Sequence, residues 1–287
     1  MTFVPAVATS PDAAPRLLRA VDLLSNAELP TPGLRVWSDD WGLWCHLRHL
    51  RAAPQGNREQ QLRALLEQAE RELVLHGLGF EHVVRTWFCL DEILEWYGAF
   101  NRVRTEFFRE RGLLTGAIPA STAVGGSNAA GSAVAASLLA VRPHDERLRV
   151  TPLPSPRQCE ATRYASSFSR ALQVSWPGAR RVWISGTAAI DARGDSLHPG
   201  DGVAQIEATL DVVRDLLGSA HLSFQDVLEA RAYFRRVADA RHLGLVRRRL
   251  GAGRLQAARA EICRDELLFE LELTAGTGPS VMPGWLP

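Results

Sequence analysis

A carboxylate embedded among apolar residues is the first feature of this sequence that could perform chemistry. Glu270 lies between Phe269 and Leu271 in a run that reads, from Leu267 onward, as a strand rich in bulky apolar residues. Burial disfavours the charged form of a carboxyl group and raises its pKa, so that the group can donate a proton near neutral pH. A period-2 alternation would instead point Glu270 and Glu272 at water. The pattern alone leaves both interpretations open.

Two residues suited to binding an anion share one predicted helix. Apolar residues recur at helical spacing over residues 93–108, and Tyr97 and Arg104 lie seven positions apart within them. At about 100° per residue, they fall on nearly the same helix face, two turns apart. A guanidinium group binds a carboxylate through two parallel hydrogen bonds, for which it is better suited than an ammonium group. The alternative is a half-exposed tyrosine and a solvated arginine beside Glu95 or Glu106.

Composition argues against several classes of partner. Lys plus Arg number 33 and Asp plus Glu number 32, which gives no electrostatic basis for binding nucleic acid or an anionic membrane. No run reaches the roughly 18 apolar residues of a membrane-spanning helix. Residues 1–16 lack the basic start and apolar core of a secretory signal. We therefore expect a cytoplasmic protein that binds a small molecule.

The cysteines and histidines give no metal-binding pattern. They include Cys45, Cys89, Cys159, Cys263, His46, His82 and His221. None of them forms the close pairs that zinc sites or disulfide scaffolds usually show. We expect free thiols, no metal and no cofactor.

The second half of the chain repeats the order of elements found in the first. Residues 60–76 have the periodicity of an amphipathic helix, residues 80–90 read as a buried strand, and the helix at 93–108 follows. Phe224 lies 144 residues after Phe80, and the same offset aligns residues 61–73 with 205–217 without a gap. We therefore predict two copies of one α/β unit.

A proline-rich stretch at residues 141–156 is the expected linker between the copies. The predicted division is an N-terminal extension at 1–32 with a short helix at 16–24, a first unit at 33–150 and a second, catalytic unit at 151–287. In the first copy the strand equivalent to that of Glu270, at residues 135–141, contains no acid. We hypothesise that the second copy supplies the acid while the first supplies Tyr97 and Arg104 to the same cleft.

The order of elements in the second copy resembles the RidA (YjgF) family. A strand ending in Ser185-Gly186 is followed by an acidic turn, a glutamine-bearing helix, a strand, a helix, an arginine-containing strand and a final Glu-x-Glu strand. The resemblance implies an α/β (α+β) fold in which a mixed sheet is backed by two helices. It also implies trimers with clefts between neighbouring sheets, with Arg259 as the carboxylate-binding arginine and Glu270 as the acid.

Five motifs in order resemble the chorismatases, which have a tandem RidA-like fold in a trimeric or pseudo-trimeric arrangement like that of chorismate mutase. The motifs are residues 85–104, 119–126, 167–171, 184–188 and 263–270. The family cleaves pyruvate from chorismate without a cofactor. Some members hydrolyse chorismate to a dihydroxycyclohexadiene carboxylate, and others rearrange it to hydroxybenzoate. A homotrimer is compatible with the resemblance, and the sequence leaves the oligomeric state open.

The resemblance assigns roles to individual residues. Glu270 would protonate the methylene carbon of the enolpyruvyl group, and Cys263 matches a position where hydroxybenzoate-forming members carry cysteine. The substrate-binding residues would be Tyr97, Arg104, Arg259, Ser169, Gly186 and Ala188. These residues favour formation of 3-hydroxybenzoate, alone or with 4-hydroxybenzoate. Ala188 or Ala189 stands where some rearranging members have glycine, which leaves hydrolysis to the diol open.

Two other classes of function are compatible with parts of the pattern. A RidA-like imine or enamine hydrolase would use Arg259 and Glu270 but would not need Tyr97 and Arg104. A non-catalytic ligand-binding protein would not need the acid. Arg254 and Arg264 are close enough in sequence to Arg259 to take its place.

Overall fold

Two mixed β-sheets with helices packed against them form the computed structural model, which describes residues 18–19, 33–127, 131–164, 166–251 and 254–279. The predicted α/β class and the tandem RidA-like organisation are confirmed. The first sheet has the strand order β2-β3-β6-β4-β5, and the second has the order β1-β11-β10-β12-β9-β8-β7.

The strands and helices in chain order are β1 (Leu18–Arg19), β2 (Gly33–Ser38), β3 (Gly42–Arg51), α1 (Arg58–Leu75), β4 (Val83–Leu90), α2 (Ile93–Glu110), β5 (Ala120–Gly125), β6 (Val134–Pro143), β7 (Arg149–Leu153), β8 (Ala171–Trp176), β9 (Ala179–Ala188), α3 (Gly202–Ser219), β10 (Val227–Phe234), α4 (Leu243–Leu250), β11 (Arg254–Arg259) and β12 (Phe269–Thr277). Helices α1, α2 and α3 are each 18 residues long, whereas α4 has 8 residues.

The internal repeat predicted from the sequence is visible strand by strand. β4 pairs in parallel with β5 and antiparallel with β6, and β10 pairs in the same way with β11 and β12. One buried glutamine in each copy ties the helix to the backbone before the last strand. Oε1 of Gln61 accepts from the Ala133 amide at 2.8 Å, and Oε1 of Gln205 accepts from the Leu268 amide at 2.8 Å.

The ends of the repeat differ from the sequence-based expectation. Residues 18–19 form a short strand parallel to β11, not part of a helix, because the backbone there pairs with the open edge of the second sheet. The remainder of the helix predicted at 16–24 lies outside the described residues. The expected boundary at 150/151 falls inside β7, which pairs with β8 at the far edge of that sheet.

The two sheets pack on each other through an apolar cluster to which both contribute, including Trp44, Trp87, Leu172 and Tyr233. β5 of the first sheet lies beside β9 of the second, where the Ser121 amide donates to Oγ of Ser185 at 2.8 Å. An isolated bridge joins Ala120 to Ser169. This junction brings α2 and β5 of one copy against β9 and β12 of the other. Of the described helices, none is both long and apolar enough to cross a bilayer.

Candidate active site

A cavity of about 230 Å³ opens at the junction of the two copies. The first copy contributes α2 and β5, and the second contributes the ends of β9 and β12 with the segments around residues 166–170 and 263–264. Its walls include six of the predicted site residues, Tyr97, Arg104, Gly186, Ala188, Cys263 and Glu270. Tyr97 and Arg104 of the first copy and Glu270 of the second copy therefore line the same cavity.

Glu270 is buried and faces the cavity, so the interpretation of this strand as a solvent-exposed alternation is wrong. Its side chain is 4% exposed, because β12 is a central strand covered on both faces. Burial, together with the nearby carboxylate of Glu272, raises the pKa of Glu270 to about 8 against the opposing effect of Arg85. A carboxylic acid in this state keeps its proton near neutral pH and can donate it.

Gly186 provides the space in which the Glu270 carboxyl group stands. A Cβ atom at position 186 would lie 2.0 Å from Oε1 of Glu270 and 3.2 Å from Cγ2 of Thr122. Only a residue without a side chain allows this approach. The Gly186 amide donates to Oγ1 of Thr122 at 2.9 Å, which fixes the backbone beside the acid.

Arg104 is held on the opposite wall by residues of its own copy. It donates from Nη2 to Oδ1 of Asn101 at 2.8 Å and from Nη1 to Oγ of Ser121 at 3.2 Å. Thr86 in turn donates to Oγ of Ser121 at 2.9 Å. These acceptors are neutral oxygens that orient the guanidinium group.

Two further arginines line the cavity, and they come from the second copy. Arg170 is buried and donates to the carbonyl oxygen of Cys159 from Nε at 2.9 Å and from Nη2 at 2.6 Å. Arg264 donates from Nη1 to the carbonyl oxygen of Gly194 at 2.7 Å. The Phe168 ring lies 5.7 Å from the guanidinium carbon of Arg104 and 5.5 Å from that of Arg170. The cavity thus presents three guanidinium groups to a ligand, which suits an anion with more than one acidic group.

Cys263 is a thiol and not a thiolate in this setting. Burial, together with the charge of Glu270, raises its pKa to about 12 against the opposing effects of Arg264 and of a hydrogen bond from Tyr97. A neutral thiol is a weak nucleophile, so Cys263 acts as a wall of the cavity with weak hydrogen-bonding capacity. The Tyr97 ring stacks on Phe100 with centroids 5.9 Å apart, which holds the phenol toward the cavity.

The structure places two of the predicted binding residues away from the cavity walls. Arg259 is exposed at the end of β11, paired with Phe234 on one side and with Arg19 on the other. Ser169 is buried and donates from Oγ to the carbonyl oxygen of Ile118 at 2.6 Å, which ties the two copies together. Arg259 was expected to share the cleft with Glu270. Within one chain its position prevents this, because β11 lies on one side of β10 and β12, which carries Glu270, lies on the other.

Several lining residues were not singled out from the sequence. They are Asn101, Ser121, Phe168 and Arg170, whereas Arg264 was named as an alternative to Arg259. Asn101 lies three positions before Arg104 on the same helix face, so the helical period could have identified it. Arg170 reaches the cavity only because the two copies dock, which no local pattern reveals.

Comparison with known structures gives a match along most of the chain. A crystal structure of a chorismatase superposes with a TM-score of 0.66 and 25% sequence identity, covering 85% of this chain and 77% of that one. The resemblance to the chorismatases drawn from the five motifs is thereby confirmed for the architecture. No protein-family model matches the chain, and no curated protein sequence matches it.

Shorter proteins match one half of the chain. RidA from an Antarctic Psychrobacter bacterium is 20% identical with a TM-score of 0.35, and it covers 44% of this chain and 98% of its own length. Yeast Mmf1 is 15% identical with a TM-score of 0.36, and it covers 44% of this chain and 98% of its own length.

Proposed function

We propose that this protein is a chorismatase that cleaves the enolpyruvyl ether of chorismate and releases pyruvate. The observation that supports this best is the burial of Glu270, whose pKa is raised to about 8, in a cavity lined by Arg104, Arg170 and Arg264. Chorismate carries two carboxylates and an acid-labile enol ether, so it matches both the cations and the acid. The similarity to the chorismatase structure supports the same substrate.

Glu270 transfers its proton to the methylene carbon of the enolpyruvyl group. This creates an oxocarbenium-like centre at the ether carbon. Water that attacks this centre gives a hemiketal, whose bond to the ring oxygen then breaks, whereas a substrate hydroxyl that attacks the ring carbon breaks the bond between that carbon and the ether oxygen. Pyruvate leaves in both cases. Loss of the proton from the attacking hydroxyl restores the acid, so no external base is consumed. General acid catalysis supplies about 10²–10⁴-fold, and the three fixed cations supply orientation and charge complementarity in addition.

The proposed product is 3-hydroxybenzoate, alone or with 4-hydroxybenzoate, formed when a substrate hydroxyl attacks and the ring rearranges. In this route chorismate divides into hydroxybenzoate and pyruvate, and no water is added. Cys263 and Ala188 form the cavity wall beside Glu270, and a neutral thiol at this position leaves the attack to the substrate. Entry of water would give the diol and pyruvate, which is the alternative outcome.

The second carboxylate of the substrate is assigned here to Arg170 or Arg264 in place of Arg259. Both line the cavity and belong to the second copy, whereas Arg259 is exposed outside it. Tyr97 and Arg104 bind the first carboxylate. We also propose that the protein is cytoplasmic, that it forms a homotrimer and that its two units divide at residues 150/151.

Incubation with chorismate followed by chromatography tests the proposal. We expect pyruvate and hydroxybenzoate in equal amounts, and the Glu270→Gln variant should lose this activity while remaining folded. The exposed Glu146 offers a matched control, because Glu146→Gln makes the same chemical change away from the cavity. Absence of pyruvate from the wild-type reaction, or full turnover by Glu270→Gln, would refute the proposal. Pyruvate with the diol would refute only the hydroxybenzoate product.

A further inference from the structure

A second buried carboxylate lies directly behind the acid. Glu272 follows Glu270 by two residues on β12, so both side chains project from the same face of the sheet. Glu272 is 1% exposed and does not line the cavity. The catalytic scheme above gives it no role. A buried charge without a partner costs several kcal/mol, so its surroundings need an explanation.

Both carboxylate oxygens of Glu272 are occupied by donors. Oε1 accepts from the Tyr233 hydroxyl at 2.7 Å and from Nη1 of Arg231 at 3.3 Å. Oε2 accepts from Oγ1 of Thr122 at 2.5 Å and from Nη2 of Arg85. Burial opposes ionisation of Glu272, yet Arg85 and Arg231 outweigh it and lower the pKa of this carboxyl group. Glu272 is therefore the ionised member of the pair.

The contacts of Glu272 extend to the backbone beside Glu270 and come from both copies. Thr122 accepts from Arg85 at 2.6 Å and from the Gly186 amide at 2.9 Å, which leaves its own hydroxyl proton for Glu272. Arg85 and Thr122 belong to the first copy, whereas Glu272 and Gly186 belong to the second. Because Gly186 sets the space for the Glu270 carboxyl group, this chain of hydrogen bonds links the ionised carboxylate to the position of the acid.

Other charged and titratable groups surround Glu270 on every side. Below the sheet face, Arg85 lies on β4, and Tyr233 and Arg231 lie on β10. The same cavity is also lined by Tyr97, Arg104, Arg170, Cys263 and Arg264. The cations favour the ionised form of Glu270, so an anion placed close by adds to the effect of burial in keeping the proton on it. Glu272 is the neighbouring carboxylate that fulfils this requirement.

We propose that Glu272 is a positioning residue for Glu270: held by Arg85, Arg231, Thr122 and Tyr233, it carries the negative charge of the pair so that the shared proton stays on the acid facing the cavity. This inference rests on the proposed function for its catalytic meaning. Two carboxyl groups with such different environments divide the tasks of acid and anion.

The proposal predicts displacements of opposite sign from two variants. Glu272→Gln removes the anion and keeps the shape, so Glu270 should titrate at lower pH than in the wild type. Arg85→Met removes a cation, so Glu270 should titrate at higher pH, while Arg231, Thr122 and Tyr233 still hold Glu272. A merely structural role would weaken both variants alike and would not give opposite signs.

The experiment is a titration of the substrate-free protein labelled with ¹³C at the glutamate carboxyl carbon and followed by NMR. The Glu270 signal is assigned by its loss in Glu270→Gln. In the wild type it should titrate near pH 8. We expect the midpoint in Glu272→Gln to fall by at least about one pH unit, which lowers the protonated fraction about tenfold above the midpoint. Glu146→Gln is the matched control and should leave the midpoint unchanged.

Each outcome decides the inference. An unchanged or higher midpoint in Glu272→Gln, or a lower one in Arg85→Met, would overturn it. If Glu272→Gln does not fold because two arginines lose their buried partner, the sign of the Arg85→Met displacement decides alone. The upper limb of the pH–rate profile for chorismate cleavage should move with the NMR midpoint in each variant. Titrations that move as expected in a protein that does not cleave chorismate would support the role of Glu272 and refute the proposed function.

Discussion

Replacement of Gly186 by alanine is the sharpest test of how the acid is positioned. The added Cβ would lie 2.0 Å from Oε1 of Glu270, 2.9 Å from its Cδ and 3.2 Å from Cγ2 of Thr122. Contacts below 3.0 Å are not sustained, so the carboxyl group must move by about 1 Å. The displaced atoms are the end of a side chain, so we expect the protein to fold.

A displacement of about 1 Å at a reacting group can reduce the rate about 100-fold. This corresponds to about 2.7 kcal/mol of transition-state stabilisation. The arginines that hold the substrate lie on other walls of the cavity, so binding of the ground state should change little. The expected result is a kcat about 100-fold lower with KM within about threefold of the wild type.

Steady-state pyruvate release by Gly186→Ala measures this prediction, with circular dichroism and a melting curve to establish folding. Gly218→Ala is the matched control, since a Cβ there meets nothing within 4 Å and the residue lies near the end of α3, away from the cavity. A folded Gly186→Ala variant with wild-type kcat would refute the inference that this glycine sets the position of Glu270. So would a loss confined to KM.

Three further predictions follow from the same contacts. Arg104→Lys should raise the KM for chorismate about 10-fold or more with a smaller effect on kcat, because the ammonium group loses the paired hydrogen bonds of the guanidinium group; steady-state kinetics check this. Cys263, with a thiol pKa of about 12, should react with iodoacetamide at pH 8 far more slowly than a free thiol, as followed by mass spectrometry. The pKa of Glu270 is raised from 4.5 to about 8, so the folded protein retains a proton that the unfolded chain releases, and stability falls as pH rises through this window. Urea unfolding from pH 5 to 8 should therefore show a loss steeper in the wild type than in Glu270→Gln by up to about 1.4 kcal/mol per pH unit.

The sequence predicted the fold well because the repeat carried the information twice. Helical periodicity and the 144-residue offset located α1 and α3 together with β4 and β10, and the structure has these elements in equivalent registers. Gln61 and Gln205 share the offset and perform the same buried hydrogen bonding. A feature that recurs at a fixed spacing is stronger evidence for a fold than a single motif, because chance agreement at several positions is improbable.

The cavity was predicted only where a residue lies on the same element as a recognisable motif. Tyr97, Arg104 and Glu270 were identified because a helix face and an apolar strand can be recognised from the local sequence. Arg259 was predicted to bind a carboxylate in preference to Arg170 and Arg264. The docking of β5 beside β9 decides which arginine reaches the cavity, and the local sequence does not show it. The clustering of Glu272 with Arg85 joins residues 187 positions apart and depends on the same docking.

The repeat also limits how many acid-bearing sites one chain can form. β4 and β10 are equivalent, and Cys89 of β4 opposes Ala135 in the place where Tyr233 of β10 opposes Glu270. By the same register Ser137 stands opposite Trp87, where Glu272 stands opposite Arg231. The first copy therefore lacks both the acid and the anion behind it. A cleft formed by β6, the last strand of the first copy, would have no carboxylic proton donor at this position, so the second copy supplies the acid and the anion behind it.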